Sequence, residues 1–226
     1  MRTKTIIVAC MVIVIGGGVG WCKLAYPTYT YRYRMTVEVM ADGVLHSGSS
    51  VIEVTLQKQP VIIWGVIPVL PSVRGEAVFV DLGQGRNVIG LLATGPYGQN
   101  VGYPAGLVSA LFGLRLDDVD LPIYPALHGR RELPENLLPT FVTFADLNDP
   151  KTARAVSAND FERVFGKGVR LEHVWLAMTT DPVTTQIDTK LPWWKRRGRP
   201  ADEAYQTWIR GRAGPAIEPE TLFKRG

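Results

Sequence analysis

The chain has 226 residues, enough for one domain of ordinary size plus terminal segments. Its 46% hydrophobic and 20% charged residues are a globular balance that excludes wholesale disorder. The formal charge of +4 resides entirely in residues 195–226, where eight Lys/Arg face four Asp/Glu; the rest is neutral, which excludes a nucleic-acid-binding face on the folded part.

At the N-terminus, Arg2 and Lys4 precede an unbroken apolar run from Ile6 to Ile15, and residues 6–22 carry no charge. Seventeen uncharged residues reach the lower limit for crossing a bilayer. Trp21 and Tyr26 stand where interfacial aromatics sit, and Lys23 can reach the headgroups. Gly18-Val19-Gly20 also offers small residues for signal-peptide cleavage. Bulky Trp21 beside Cys22 argues against lipid attachment there. The reading is a signal anchor over 1–26 with its basic end inside, and secretion after cleavage is the alternative. Cys10 and Cys22 are the only cysteines, so the remainder can have no disulfide, thiol nucleophile or Cys-based zinc site.

Pro27 ends any helix, and YTYRYRMTVEVM (29–40) then alternates with period two, predicting a half-buried strand. Tyr29, Tyr31, Tyr33, Met35, Val37 and Val39 share one face, and Thr30, Arg32, Arg34, Thr36 and Glu38 the other. Ala41-Asp42-Gly43 is a turn signal, and SVIEVTLQ (50–57) completes a hairpin. The Tyr stripe suits a core face better than a stacking platform, because aromatics are favoured strand residues. VIIWGVIPVLP (61–71), broken by Gly65, Pro68 and Pro71, reads as a loop or edge segment packed on the core, with an exposed surface facing lipid or a partner as the second option. GEAVFVDL, GQGR and NVIGLLA (75–93) form a second hairpin. Their glycines miss the phosphate-loop spacing and precede a strand.

Residues 94–139 are rich in Gly and Pro, with a short helix predicted over 104–112. Asp117, Asp118 and Asp120 lack the remaining ligands of a calcium loop and read as a solvated loop. TFVTF (140–144) reads as a strand, and a capped helix over 158–165 presents Phe161, Val164 and Phe165 on its apolar face. VRLEHVWLAMT (169–179) is the last long strand, with Val169, Leu171, His173, Trp175 and Ala177 on one face. DPVTTQI (181–187) permits a helical turn, and LPWW (191–194) places two Trp over a sheet end. KRRGRP opens a basic linker, ADEAYQTWIRGR permits a short helix, and GPAIEPETLFKRG reads as a tail.

The three histidines, His46, His128 and His173, have no second ligand at metal spacing. Glu172 and His173 are adjacent on a strand and point to opposite faces. No GxSxG elbow surrounds Ser47, Ser49 or Ser50, which leaves a pair such as Ser50 and His128, assembled across the fold, as the hydrolytic option. Nothing indicates a nucleotide, haem or flavin site, and no cofactor is expected.

YPTYTYRYRMTVEV, SGSSVIEV, VRGEAVFVDLG and DPVTTQIDTKLPWW, spread over residues 26–194, together resemble short proteobacterial envelope proteins with one N-terminal hydrophobic segment. That family has no assigned activity, so the resemblance implies a location and no functional residues. The expected fold is α+β, mainly antiparallel β with two or three short helices, behind one N-terminal transmembrane or signal helix. The expected division is an anchor over 1–26, a β-rich domain over 27–194 and a basic linker and tail over 195–226. The expected role is binding or structural, on a single-pass inner-membrane protein with its domain in the periplasm. It would contact the bilayer through residues 6–22 and an envelope protein partner, but no nucleic acid. Candidate interaction residues are Tyr29, Tyr31, Tyr33, Trp64, Trp193, Trp194, Arg196 and Arg197. The rival is an exported hydrolase with its site in 94–139.

Overall fold

In this computed structural model the described residues are 25–60, 67–95, 98–117, 119–191, 193 and 220–226. Ten strands occur among them: β1 (Thr28–Ala41), β2 (Val44–Lys58), β3 (Val69–Glu76), β4 (Val78–Gly83), β5 (Arg86–Gly90), β6 (Arg130–Glu132), β7 (Phe141–Phe144), β8 (Ala153–Val156), β9 (Arg170–Met178) and β10 (Lys224–Arg225). The α-helices are short: α1 (Tyr103–Phe112), α2 (Phe161–Phe165), α3 (Ile187–Lys190) and α4 (Glu220–Phe223), with 3-10 turns between. The protein is therefore mainly antiparallel β with short helices, as the alternating sequence implies.

The strands make a six-stranded sheet, in the order β10-β3-β2-β1-β9-β6, and a four-stranded sheet, β4-β5-β7-β8. β1 and β2 pair without interruption from Ala41↔Val44 to Thr28↔Gln57. Asp42 (φ 52°) and Gly43 (φ 76°) both take the positive φ of a two-residue primed turn, as do Gln84 and Gly85 between β4 and β5. Asp42 accepts hydrogen bonds from Arg86 and Gln84, so the two hairpin tips are tied together. β3 passes through buried Ala77 into β4, carrying the chain from one sheet to the other.

One core fills the space between the sheets, from Tyr31 to Val39 on β1 to Val78, Val80, Leu82 and Phe141 opposite. The sheets approach closely at Gly48 of β2, where a Cβ would lie 2.0 Å from the Phe79 carbonyl oxygen. A second core covers the far side of the four-stranded sheet, joining Ile89, Phe144, Ile187, Trp193, Leu222 and Phe223. Because that sheet is buried on both faces, FVTF in β7 has no polar side chain except Thr143, and all four residues are buried. The first sheet has one polar outer face, which is why β1 alternates so regularly.

Several expectations change. Glu220–Arg225, read as part of a tail, is built into the fold. Leu222 and Phe223 are fully buried, β10 pairs β3, and Arg225 donates to the carbonyls of Leu92 and Val101. The helix expected over 158–165 is a 3-10 turn (Ala158–Asp160) followed by α2; Ser157 makes no side-chain cap bond and Val164 is exposed. Residues 181–186 form no helical turn and instead cross the outer face of the six-stranded sheet as a strap. Asp181 binds Arg34, and Thr184 exchanges hydrogen bonds with the Val51 backbone. Glu76, buried where β3 ends, accepts the amides of Gln186 and Ile187 and so starts α3. Val51 faces outward with Arg34 yet is 1% exposed, because the strap lies over it.

Residues 1–24, where the membrane segment was expected, lie outside the described residues. Among the described residues no helix is long and apolar enough to cross a membrane.

Candidate functional site

Of the predicted interaction residues, Tyr31 and Tyr33 are 4% and 0% exposed and belong to the inter-sheet core. The core reading of the Tyr stripe therefore stands, and these two rings offer no docking surface. Their hydroxyls donate to the carbonyls of Ala105 and Pro104 at 3.3 and 3.0 Å, which fastens α1 across the sheet. Burial pushes both phenols above their ordinary range. Tyr29 is half-buried against the same core, and Trp193 is fully buried in the second core. Trp64, Trp194, Arg196 and Arg197 lie outside the described residues.

The accessible chemistry lies on the other face of β1. The decisive feature is a β-bulge in β9: Glu38 pairs His173 and Val39 pairs Leu171, leaving Glu172 as an extra residue. The bulge reverses the alternation. Val169 and Leu171 face the core before it, and Val174 and Leu176 after it, while His173, Trp175 and Ala177 turn outward. The expectation that Val169, Leu171, His173, Trp175 and Ala177 share one face is thus corrected, since a one-residue insertion shifts everything beyond it.

Turned outward, these residues meet Glu38 and the edge strand β6. His173 Nδ1 lies 2.6 Å from Glu132 Oε1, and the Trp175 indole N–H donates to Glu38 Oε2 at 3.0 Å. Arg130 stacks over Trp175 at 4.0 Å and approaches Glu38 at 3.5 Å. Arg170 pairs with Glu172 beside them. The hydrogen bond that His173 donates to Glu132 raises the His173 pKa most, opposed by desolvation and aided by the charges of Glu132, Glu38 and Glu172. Sequence reasoning missed this cluster because Glu132 and His173 are 41 residues apart and only strand pairing joins them. Every charged member has a partner, so the cluster clasps β6 onto the sheet.

A cleft of about 590 Å³ opens at the other end of the same sheet. Thr30–Arg32 form one wall, Pro125, Leu127 and His128 a second, and Met178–Thr180 the third. No carboxylate lines it. Arg32 is held by Glu53 at 2.6 Å and donates to the Thr180 carbonyl. His128 Nδ1 lies 3.3 Å from the Ala126 carbonyl. A groove of about 510 Å³ lies between Thr94–Gly95, Glu135–Phe141 and Ala155–Ala158. Glu135 in its wall accepts from Asn159.

The geometry keeps the remaining candidates apart. Ser50 is buried inside the first core, paired with Met35, whereas His128 is exposed at the cleft, so they do not form a pair. His46 binds the Asp81 carbonyl on the inner side of β2, away from His173. Asp117 and Asp120 accept loop amides and pair with Arg115, which matches a solvated loop; Asp118 lies outside the described residues. Among the described residues no group of three His, Cys, Asp or Glu could hold a metal ion.

Compared with known protein families, curated proteins and solved structures, the chain matches none.

Proposed function

We propose that this chain is a bacterial envelope protein, held in the inner membrane by residues 6–22 and carrying its β domain in the periplasm. The domain serves a binding or structural role. The observation that carries the reading is where the fold begins. β1, a central strand, starts at Thr28, with only five residues between it and the uncharged run. A chain leaving the membrane there passes directly into the middle of a sheet, with no spacer domain between. The cysteine-free sequence beyond residue 22 suits an oxidising compartment. The resemblance to proteobacterial envelope proteins points the same way.

Within that reading, the cleft beside Thr30, Arg32 and His128 is the best ligand site. Its hydroxyls, imidazole and apolar walls suit a neutral, hydrogen-bonding group such as a peptide or glycan segment. The rival exported hydrolase would use the groove lined by Thr94, Glu135, Thr140 and Ser157. Glu135 would act as its acid or base and a hydroxyl or water as nucleophile.

Cell fractionation with N-terminal sequencing of the mature protein decides the location. An alkali-resistant membrane species with an intact N-terminus, digested by protease only after the outer membrane is opened, is expected. A soluble species starting near Trp21 replaces the anchor with a cleaved signal, and a cytoplasmic, protease-resistant domain rejects export. Hydrolytic activity lost in Glu135→Gln, with an unchanged melting temperature, would favour the hydrolase.

A further inference from the structure

Resting on the anchor reading, we infer that the pole of the domain formed by Pro27, the end of β2 and the start of β3 lies on an anionic phospholipid surface. Ile67 and Leu70 dip into its headgroup layer.

Three observations converge on that pole. The first is covalent reach. Pro27 is the fifth residue after Cys22, a span of at most about 17 Å even when fully extended. The headgroup layer itself occupies about 5–8 Å on each side of the hydrocarbon. The pole therefore has no more than about 10 Å of clearance and cannot stand off the membrane.

The second is exposed apolar surface in the right place. The Lys58 amide donates to the Pro27 carbonyl at 3.2 Å, and the Gln59 amide to the Pro68 carbonyl at 2.8 Å. Both ends of the β2–β3 connection thus sit beside the point where the chain arrives from residue 22. There Ile67 is 67% and Leu70 52% exposed. Leu70 occupies the last outward rung of the sheet, in line with Thr28 and Gln57.

The third is charge. Outward rungs climbing from the pole read Thr28–Gln57–Leu70, Thr30–Thr55–Ser72, then Arg32–Glu53–Arg74. The first two carry no carboxylate, and the first one reached, Glu53, is clamped between two arginines. Lys58 adds a positive charge at the rim. An anionic headgroup plane attracts such a surface and repels an acidic one. The opposite pole ends in the tied hairpin tips, where Asp42 pairs with Arg86 and Asp81 accepts the Gly83 amide.

The test uses the full chain with Cys10→Ser and Cys22→Ser, and a single cysteine at Ile67→Cys, Leu70→Cys or, as the far-pole control, Leu45→Cys. Each is labelled with an environment-sensitive fluorophore and reconstituted into phosphatidylethanolamine/phosphatidylglycerol vesicles, with and without brominated lipid. Quenching at least two-fold stronger at 67 and 70 than at 45 is expected. Equal, weak quenching at all three sites in protein that resists alkaline extraction overturns the inference and leaves the anchor standing. Protein released by alkali but still quenched at 67 and 70 removes the anchor and keeps the lipid-facing pole. A blue shift at 67 and 70 without lipid quenching assigns the pole to a second copy of the chain and overturns the inference.

Discussion

Glu132 is the residue that sets the ionisation of His173. Their contact raises the imidazole pKa, so the protonated form binds better in the folded chain than in the unfolded one. The stabilisation is fully present below the ordinary imidazole value, about 6.5. It is lost as pH rises through the higher folded value. In Glu132→Gln the His173 midpoint should fall toward the ordinary range, followed by NMR titration of the imidazole carbon protons; an unchanged midpoint would mean that Glu38 and Glu172 carry the effect. Gly48 makes a sharper demand, since any Cβ there meets the Phe79 carbonyl. Gly48→Ala should cost about 2–3 kcal/mol in urea unfolding, at the upper end of overpacking penalties, and a cost below about 0.5 kcal/mol would show that the sheets separate easily. Neither site stands out in the sequence. HSGSS gives no sign that its glycine touches another strand, and RRE gives no sign that its glutamate has a histidine partner.

Among the elements, β1 and its hairpin were legible because one buried face, one wet face and Asp-Gly leave a single register. β9 was legible as a strand but not in its facing, for a bulge adds a residue without altering the apolar pattern on either side. Deleting Glu172 should restore one-to-one pairing, with Leu171 inward and His173 outward, and shift the melting temperature by only a few degrees. Deleting Val174 instead turns Leu176 outward and should unfold the domain or lower its melting point far more. Equal effects of the two deletions would refute the bulge's role in phase. The strap, residues 181–186, was illegible for a different reason: Arg34 holds the Asp181 side chain, and Arg32, Val51 and Glu76, all on distant strands, hold its backbone.

For the molecule as a whole, the double-sided burial of the four-stranded sheet couples distant segments. Phe223 closes the second core against Phe144 and Trp193, with ring centroids 6.4 and 5.8 Å away. Phe223→Ala should therefore cost about 3–5 kcal/mol and expose the β5–β7 region to proteolysis; loss of under about 1 kcal/mol would mean that 220–226 is an appendage after all. The sequence around it, PETLFKRG, has the composition of a tail, and only the tertiary contacts of Leu222, Phe223 and Arg225 make it structural.

The position of β1 has a mechanical consequence. It is paired along its whole length with β2 and from Tyr33 to Met40 with β9, both antiparallel. A pull on the N-terminal end of β1 acts along the strand axis and loads the two ladders in shear, all bonds sharing the force instead of opening in turn. Peeling at the β6 edge meets only the three rungs to β9. A domain loaded through its central strand can bear tension, and single-molecule pulling from residue 25 should require a higher force than pulling from residue 130.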